Sequence, residues 1–158
     1  MFRVKELHDL CLQNNISIAV AESCTSGRIA SLLTSIPDSS SFFKGGVIAY
    51  QNEIKINVLK VSADLINEKT EVSPEVVTEM ARNVLLYFGS NFAIATSGYA
   101  GPGGGSLECP IGTVYIAIAN KSNVDVKKCF FSGNRDSIVK QATIKSLEYL
   151  FYEVKKNQ

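Results

Sequence analysis

The spacing of apolar and polar positions along the chain predicts an alternation of helices and strands. Apolar residues such as Leu7 and Cys11 recur at helical intervals near the start of the sequence, which is typical of an amphipathic helix. Short apolar runs rich in β-branched residues, bounded by turn residues, predict strands. The predicted helices span 2–14, 26–35, 73–88 and 135–155, with a short helix from Glu53, and the predicted strands span 16–21, 45–50, 91–97, 111–119 and 125–132.

The order of these elements predicts an α/β fold. Two strands joined by a helix run parallel, so the strands at 16–21 and 45–50 should form a right-handed βαβ unit with both carboxyl ends at one edge. Asn120 to Asn123 predict a hairpin turn, which makes the last two strands antiparallel. The stretch 60–72 has no clear periodicity. By its length, the sequence 1–158 is expected to form a single domain.

The stretch AESCTSG at 21–27 is the first candidate for chemistry. It places Ser23 at a strand-to-helix turn, where a reactive side chain would be exposed. The N–H groups at the start of the following helix are expected to stabilise an oxyanion beside the Ser23 hydroxyl. The alternative is structural, because Ser23, Thr25 and Ser26 belong to residue types that commonly cap helices.

A serine nucleophile in this chain would need a base other than histidine. His8 is the single histidine, and it lies in the amphipathic helix far along the sequence from Ser23. Asn52 is expected to cap the short helix, which would bring Lys55 to the carboxyl edge of the sheet near Ser23. Burial lowers the pKa of a lysine, so Lys55 could accept the hydroxyl proton, and Tyr50 could relay or donate one.

Cys24 is a second candidate nucleophile. A thiol at a helix N-terminus can be activated without a neighbouring base. Against this, adjacent side chains on a turn point in different directions, and cysteines are often simply buried. The four cysteines show no paired spacing, which argues against a zinc site or a disulfide framework.

A glycine-rich loop with six glycines from Gly98 to Gly112 separates two predicted strands. Ordering so many glycines is entropically costly, which favours a backbone that must approach a phosphate or a ring closely. The alternative is a flexible surface loop. The loop is neither a P-loop nor a dinucleotide fingerprint, because it lacks the Gly-Lys-Ser/Thr ending and leads into a strand. Arg135, at a helix start, is a candidate phosphate clamp.

The charge balance limits the classes of partner. Lys plus Arg number 16 and Asp plus Glu 15, so no net field favours nucleic acid or an anionic membrane. No apolar run approaches the length of a membrane span, and the start of the sequence lacks the pattern of a signal peptide. A cytoplasmic location is therefore expected. No bound metal is expected either.

Five blocks in fixed order resemble the CinA C-terminal domain family, whose stand-alone members include nicotinamide-nucleotide amidases. The resemblance covers nearly the whole chain, and the combination is far more specific than any block alone. The blocks are AESCTSG (21–27), PDSSSFFKGGVIAYQNEIK (37–55), SGYAGPGGGS (97–106), PIGTVYIA (110–117) and GNRDSIVKQA (133–142).

The resemblance implies both a fold and a reaction. The fold is a three-layer α/β/α sandwich with a mixed five-stranded sheet, mostly parallel with an antiparallel hairpin. The reaction is hydrolysis of the carboxamide of nicotinamide mononucleotide to nicotinate mononucleotide and ammonia, with no metal or organic cofactor. A small homo-oligomer is expected by analogy.

The family's site maps onto individual residues of this chain. The nucleophile falls on Ser23, the base on Lys55 and the tyrosine on Tyr50, while a second active-site serine falls on Ser40. Substrate contacts are expected at Cys24, Thr25, Ser40, Asn52, Ser97, Gly101, Gly103, Gly104, Gly105 and Arg135.

The chain departs from the family pattern at three positions. Ser26 stands where glycine is general, Asn134 where aspartate usually precedes the arginine, and Cys109 where lysine is common. Ser26 is expected to place a Cβ and a hydroxyl near the oxyanion donors and so to affect catalysis. Two alternatives therefore stay open: a catalytically silent nucleotide-binding module, and a Ser-Lys hydrolase of another small amide.

Overall fold

The computed structural model describes residues 4–157. The predicted first helix begins at Val4 in this range, and its first two predicted positions, 2 and 3, lie outside the described residues. The elements in chain order are α1 (Val4–Gln13), β1 (Ile18–Glu22), α2 (Arg28–Leu33), a 3₁₀ turn (Ser39–Ser41), β2 (Phe43–Ile48), α3 (Asn52–Asn57), α4 (Ala63–Lys69), α5 (Pro74–Phe88), β3 (Phe92–Gly98), β4 (Thr113–Asn120), β5 (Val124–Phe130) and α6 (Arg135–Lys156).

The strands form one mixed sheet in the order β2-β1-β3-β4-β5. β1 pairs in parallel with β2 and β3, whereas β4 pairs antiparallel with β3 and β5. Only β4 of these five strands therefore runs against the others. Asn120 closes the β4–β5 hairpin, because its side-chain oxygen accepts hydrogen bonds from the amides of Ser122 and Asn123. The predicted mixed sheet and its hairpin are confirmed.

Strand alternation gives the sheet two chemically different faces. Large side chains such as Ile18, Ile94 and Ile116 pack against α1, α2 and α6. The opposite face is built from alanines and packs against α5, with α3 and α4 beside it. Small side chains leave room for the bulky inner face of α5, which includes Met80. The fully buried alanines of this face are Ala19, Ala21, Ala93, Ala95, Ala117 and Ala119.

The strand β2 lies two residues earlier than predicted. It spans Phe43–Ile48 instead of 45–50, with Phe43 paired to Ile18. Its two glycines are required at this edge, because a Cβ on Gly46 would lie 2.3 Å from Cγ2 of Val20 and a Cβ on Gly45 would lie 2.9 Å from Cε1 of Phe88. Tyr50 therefore lies beyond the strand, in the turn that leads to α3.

Other differences from prediction have local causes. The aperiodic stretch 60–72 contains α4, whose N-cap Ser62 accepts a hydrogen bond from the Leu65 amide. α3 begins at Asn52 after Gln51, without the predicted Asn52 side-chain cap. Along α6, Val139 and Thr143 are buried, whereas Ile144 is 36% exposed. No helix among residues 4–157 has the length and apolar content needed to cross a membrane.

Candidate active site

The carboxyl ends of β1 and β3 open into a cavity of about 350 Å³. The chain leaves β1 toward β2 on one side and later returns as β3 on the other, so the cavity lies where the strand order reverses. Open α/β sheets bind small molecules at this position, and the volume is in the range of small-molecule sites. The cavity is lined by Ser23, Cys24, Tyr50, Gln51, Asn52, Lys55, Glu71, Val72, Ser97, Gly98, Tyr99, Ala100 and Arg135.

Ser23 and Lys55 meet at this cavity. Lys55 Nζ lies 3.2 Å from Ser23 Oγ, and the two residues are 1% and 8% exposed. Ser23 directly follows β1, and α3 directs Lys55 inward from the neighbouring β2 side. Lys55 Nζ also donates to the carbonyl oxygens of Ala49 at 2.9 Å and Tyr50 at 3.4 Å. The sequence prediction that these two side chains lie within reach of each other is confirmed.

The environment of Lys55 disfavours its charged form. Burial lowers the pKa of the ammonium below the ordinary 10.5, although the Glu71 carboxylate acts in the opposite direction. A neutral amine has two N–H donors and one lone pair. The carbonyls of Ala49 and Tyr50 match the two donors, which leaves the lone pair for the Ser23 hydroxyl.

The start of α2 is occupied by a side chain that sequence reasoning did not consider. The Glu22 carboxylate is fully buried and accepts hydrogen bonds from the amides of Gly27 at 3.0 Å, Ile29 at 3.1 Å and Ala30 at 2.9 Å. The helix N-terminus is therefore already neutralised by an anion from the end of β1. The prediction that the N–H groups of this helix face an oxyanion beside Ser23 is wrong.

The backbone amides that remain near Ser23 are those of Cys24 and Thr25. Neither donates a hydrogen bond to another residue in the range 4–157. The amide of Ser26, by contrast, donates to the Ser23 carbonyl at 3.1 Å. Because no side chain of this turn caps α2, the purely structural interpretation of Ser23, Thr25 and Ser26 as caps is also wrong.

Cys24 is poorly suited to act as the nucleophile. Its side chain is 6% exposed and packs with the apolar core beneath α2. Burial raises the pKa of the thiol to about 12, so it is neutral near neutral pH. Thr25 is fully buried, and its hydroxyl pairs with that of Thr96 at 2.8 Å. The Thr25 side chain therefore fixes the turn to β3 and does not face a ligand.

Tyr50 and Arg135 form the rim of the cavity. The Arg135 guanidinium donates to the Tyr50 hydroxyl at 2.6 Å and to the Gly101 carbonyl at 2.8 Å. Tyr50 is 54% exposed, and its hydroxyl makes no hydrogen bond to Ser23 or Lys55. The predicted proton relay through Tyr50 is therefore not assembled here, whereas the predicted position of Arg135 at the cavity is confirmed.

The remaining predicted contacts divide into two groups. Asn52 and Ser97 line the cavity, and Ser97 is anchored by donating to the Glu71 carbonyl at 2.6 Å. Ser40 is exposed in the 3₁₀ turn before the amino end of β2, whereas Ser23 follows the carboxyl end of the parallel strand β1. In the glycine loop, Gly101 reaches the site through Arg135, and the other predicted glycines lie outside the cavity lining. Those glycines are Gly103, Gly104 and Gly105.

Glu71 and Tyr99 are cavity residues that sequence reasoning missed. Glu71 lies at the end of the aperiodic stretch, between α4 and α5, and Tyr99 directly follows β3. The position of Tyr99 at a carboxyl strand end could have indicated it. The sequence around Glu71 contains no comparable signal, because its backbone is anchored by a hydrogen bond from the distant Ser97 in β3.

The three departures from the family pattern have distinct surroundings. Ser26 adopts a left-handed backbone with φ of 47°, which explains why glycine suits this position. Asn134 caps α6 by accepting a hydrogen bond from the Ser137 amide, a role that aspartate would also serve. The Cys109 sulfur lies 3.8 Å from the Tyr115 hydroxyl and outside the cavity. None of the three side chains lines the cavity.

Comparisons with known proteins agree with this architecture. Residues 3–154 match the family described as the CinA C-terminal domain. A CinA-like protein of Flavobacterium psychrophilum is 42% identical over 151 residues, covering 96% of this chain and 36% of that protein. A CinA-like protein of Fervidobacterium nodosum is 43% identical over 150 residues, covering 92% and 37%. The chain thus spans little more than a third of these curated relatives.

Solved structures match over almost their full length. Competence damage-inducible protein A (ComA) from Klebsiella pneumoniae subsp. pneumoniae MGH 78578 has a TM-score of 0.94 and 33% identity, covering 98% of this chain and 96% of that one. Competence/damage inducible protein CihA from Agrobacterium tumefaciens has a TM-score of 0.89 and 32% identity, covering 100% and 99%. The shared fold therefore includes every element that builds the cavity.

Proposed function

Because the chain belongs to the CinA C-terminal domain family, we propose that it is a serine amidohydrolase of pyridine nucleotide salvage. The proposed substrate is nicotinamide mononucleotide, and the products are nicotinate mononucleotide and ammonia. The observation that supports this best is the buried Lys55 amine 3.2 Å from the Ser23 hydroxyl. No metal ion or organic cofactor is needed for the proposed steps.

The proposed reaction uses Lys55 first as a base and then as an acid. Neutral Lys55 takes the proton of Ser23, and Ser23 Oγ attacks the carboxamide carbon to form a tetrahedral intermediate. Protonated Lys55 delivers that proton to the amide nitrogen, the C–N bond breaks and ammonia leaves. Water then attacks the Ser23 ester with Lys55 again as base, which releases the carboxylate and restores the serine. Such proton transfers typically contribute on the order of 100- to 10,000-fold in rate.

The oxyanion is proposed to bind the amides of Cys24 and Thr25. These are the N–H groups next to Ser23 that donate to no other described residue, whereas the first amides of α2 are bound to Glu22. Two preorganised amides are sufficient for an oxyanion hole. Cys24 and Thr25 would thus serve through their backbone, in keeping with the neutral Cys24 thiol and the paired Thr25 hydroxyl.

The phosphate end of the substrate is proposed to bind at the cavity rim. Arg135 presents a guanidinium there, and its present partners, the Tyr50 hydroxyl and the Gly101 carbonyl, are both neutral. A phosphate dianion would be a stronger partner than either group. In this proposal Tyr50 helps to hold Arg135, and the ammonia proton comes from Lys55.

The test is ammonia release from nicotinamide mononucleotide by purified wild-type protein with a chelator present. Ser23→Ala and Lys55→Met are expected to lower kcat/KM by at least about 1,000-fold. Cys24→Ala is the matched control, because it alters the adjacent side chain and should retain activity. Retained activity in Ser23→Ala would refute the proposed nucleophile.

Two outcomes would support the alternatives. Binding of nicotinamide mononucleotide without any ammonia release would indicate a silent nucleotide-binding module. Equal rates with the phosphate-free riboside would indicate a hydrolase of other small amides, because Arg135 would then have no phosphate to bind.

A further inference from the structure

Glu71 places a carboxylate in the cavity without a partner of its own. The side chain is half-buried and lines the same cavity as Ser23 and Lys55. It makes no ion pair or hydrogen bond with any residue in the range 4–157. Its backbone is fixed, because the Ser97 hydroxyl donates to the Glu71 carbonyl at 2.6 Å. The backbone that carries this carboxylate is thus anchored to the end of β3.

The electrostatic effect of Glu71 reaches two other cavity residues. Its charge raises the pKa of Lys55, against the larger effect of burial. Burial raises the pKa of the Tyr99 phenol first, and the Glu71 charge adds to that shift. The carboxylate therefore lies close enough to influence both the floor of the cavity at Lys55 and the wall at Tyr99.

An unpaired carboxylate is unfavourable for the binding of a simple anion. Arg135 at the rim attracts negative charge, while Glu71 repels it. The two groups together match a ligand that is negative at one end and positive at the other. The carboxamide must reach Ser23 for the proposed reaction, so the positive part of such a ligand is the ring that bears the carboxamide.

We propose that Glu71 and Tyr99 form a subsite for a cationic heteroaromatic ring, which makes the site specific for N-substituted pyridinium carboxamides over neutral ones. This inference rests on the proposed function and adds the charge state of the ring. The carboxylate supplies a counter-charge, and Tyr99 contributes an aromatic ring to the lining of the same cavity. The oxidised ring of a pyridine nucleotide carries this charge, and the reduced dihydropyridine ring does not.

A binding experiment separates this role from an effect on Lys55 chemistry. Affinities of nicotinamide mononucleotide and its reduced dihydro form are measured by calorimetry in a Ser23→Ala background, where no turnover occurs. The two ligands share the ribose, the phosphate and the carboxamide and differ in ring charge. We expect the oxidised form to bind at least about tenfold more tightly.

The diagnostic variant is Glu71→Gln, which keeps the size of the side chain and removes its charge. We expect it to weaken binding of the oxidised form about tenfold or more and to leave the reduced form within about twofold. Glu108→Gln is the matched control, because Glu108 is exposed on the glycine loop outside this cavity. It should change neither affinity.

The outcomes distinguish this inference from the proposed function. If Glu71→Gln weakens both ring forms equally, or neither, the cationic subsite is refuted even when wild-type protein releases ammonia. If wild-type protein releases no ammonia but shows the charge-dependent binding, the subsite stands and the amidase proposal fails. Failure of the Ser23→Ala protein to bind either nucleotide would overturn the subsite, and ammonia release by the wild-type protein would still decide the proposed function.

Discussion

The buried Glu22 carboxylate gives the most direct test of how this site is held together. Its Oε2 accepts from the amides of Gly27 and Ile29, and its Oε1 accepts from Ala30. In Glu22→Ala all three amides lose their acceptor. A buried donor left without a partner costs about 1–3 kcal/mol, so for three donors we expect the free energy of unfolding to fall by about 3–9 kcal/mol. That loss is a large part of the roughly 5–15 kcal/mol that is typical of the free energy of unfolding of a native protein.

Glu22→Gln is the sharper variant because it preserves shape. The amide oxygen can replace Oε2 toward two backbone donors, but the amide nitrogen then faces the Ala30 N–H, donor against donor. We expect a loss of about 2–4 kcal/mol from this one reversal and from the lost charge.

The assay is urea unfolding followed by circular dichroism, with kcat/KM measured in parallel. Glu108→Gln, which removes an exposed loop carboxylate, should leave the unfolding midpoint unchanged. Because Ser23 directly follows Glu22, we also expect both Glu22 variants to lower kcat more than they raise KM. A Glu22→Gln protein within about 0.5 kcal/mol of wild type would refute the assigned role of the carboxylate.

Three further predictions address the same region. The rate should rise with pH to a plateau, with a midpoint below the ordinary lysine pKa of 10.5, because burial lowers the pKa of Lys55 and the neutral amine is the active form. Since Glu71 raises the pKa of Lys55, Glu71→Gln should move this midpoint to lower pH, and a shift to higher pH would contradict the prediction. Cys24 should resist iodoacetamide in the native protein near pH 7.5, as read by peptide mass mapping, because burial raises the pKa of its thiol to about 12; rapid labelling with loss of activity would favour Cys24 as nucleophile. Ser26→Gly should change the free energy of unfolding by less than about 0.5 kcal/mol, because relief of the left-handed backbone strain is offset by the greater unfolded-state entropy of glycine. It should change kcat/KM less than twofold, because the Ser26 amide donates to the Ser23 carbonyl. A large rise in kcat would show that the Ser26 side chain obstructs the reaction.

The elements that sequence analysis located best are those with strong local signals. α5, predicted over 73–88, spans Pro74–Phe88, and its start carries a Ser73 N-cap followed by Pro74. Lys55 could be placed near Ser23 because parallel strands bring their carboxyl ends together, a topological rule that does not depend on side-chain detail.

The features that were missed depend on tertiary contacts. Glu22 appears in the sequence only as a polar residue at the end of an apolar run, and its three partners lie five to eight residues further along, a separation with no local signature. The register of β2 follows from the fit of Gly46 against Val20, which only the paired strands reveal. The backbone of Glu71, between α4 and α5, is anchored by the hydroxyl of Ser97 in β3.

The alanine face of the sheet imposes a direction on tolerated change. On the side of α1, α2 and α6, loss of a methyl group from a residue such as Ile94 would leave a void. Another large apolar side chain of similar volume could still be accommodated there. On the α5 side the reverse holds, since Ala93 and Ala95 carry only one methyl group each and any added carbon would push the helix outward. Because α5 is preceded by the segment that carries Glu71, an outward shift of α5 would widen the cavity although the substituted alanine lies away from the reacting groups. Enlarging an alanine there should therefore loosen substrate binding, whereas trimming the opposite face should mainly lower stability.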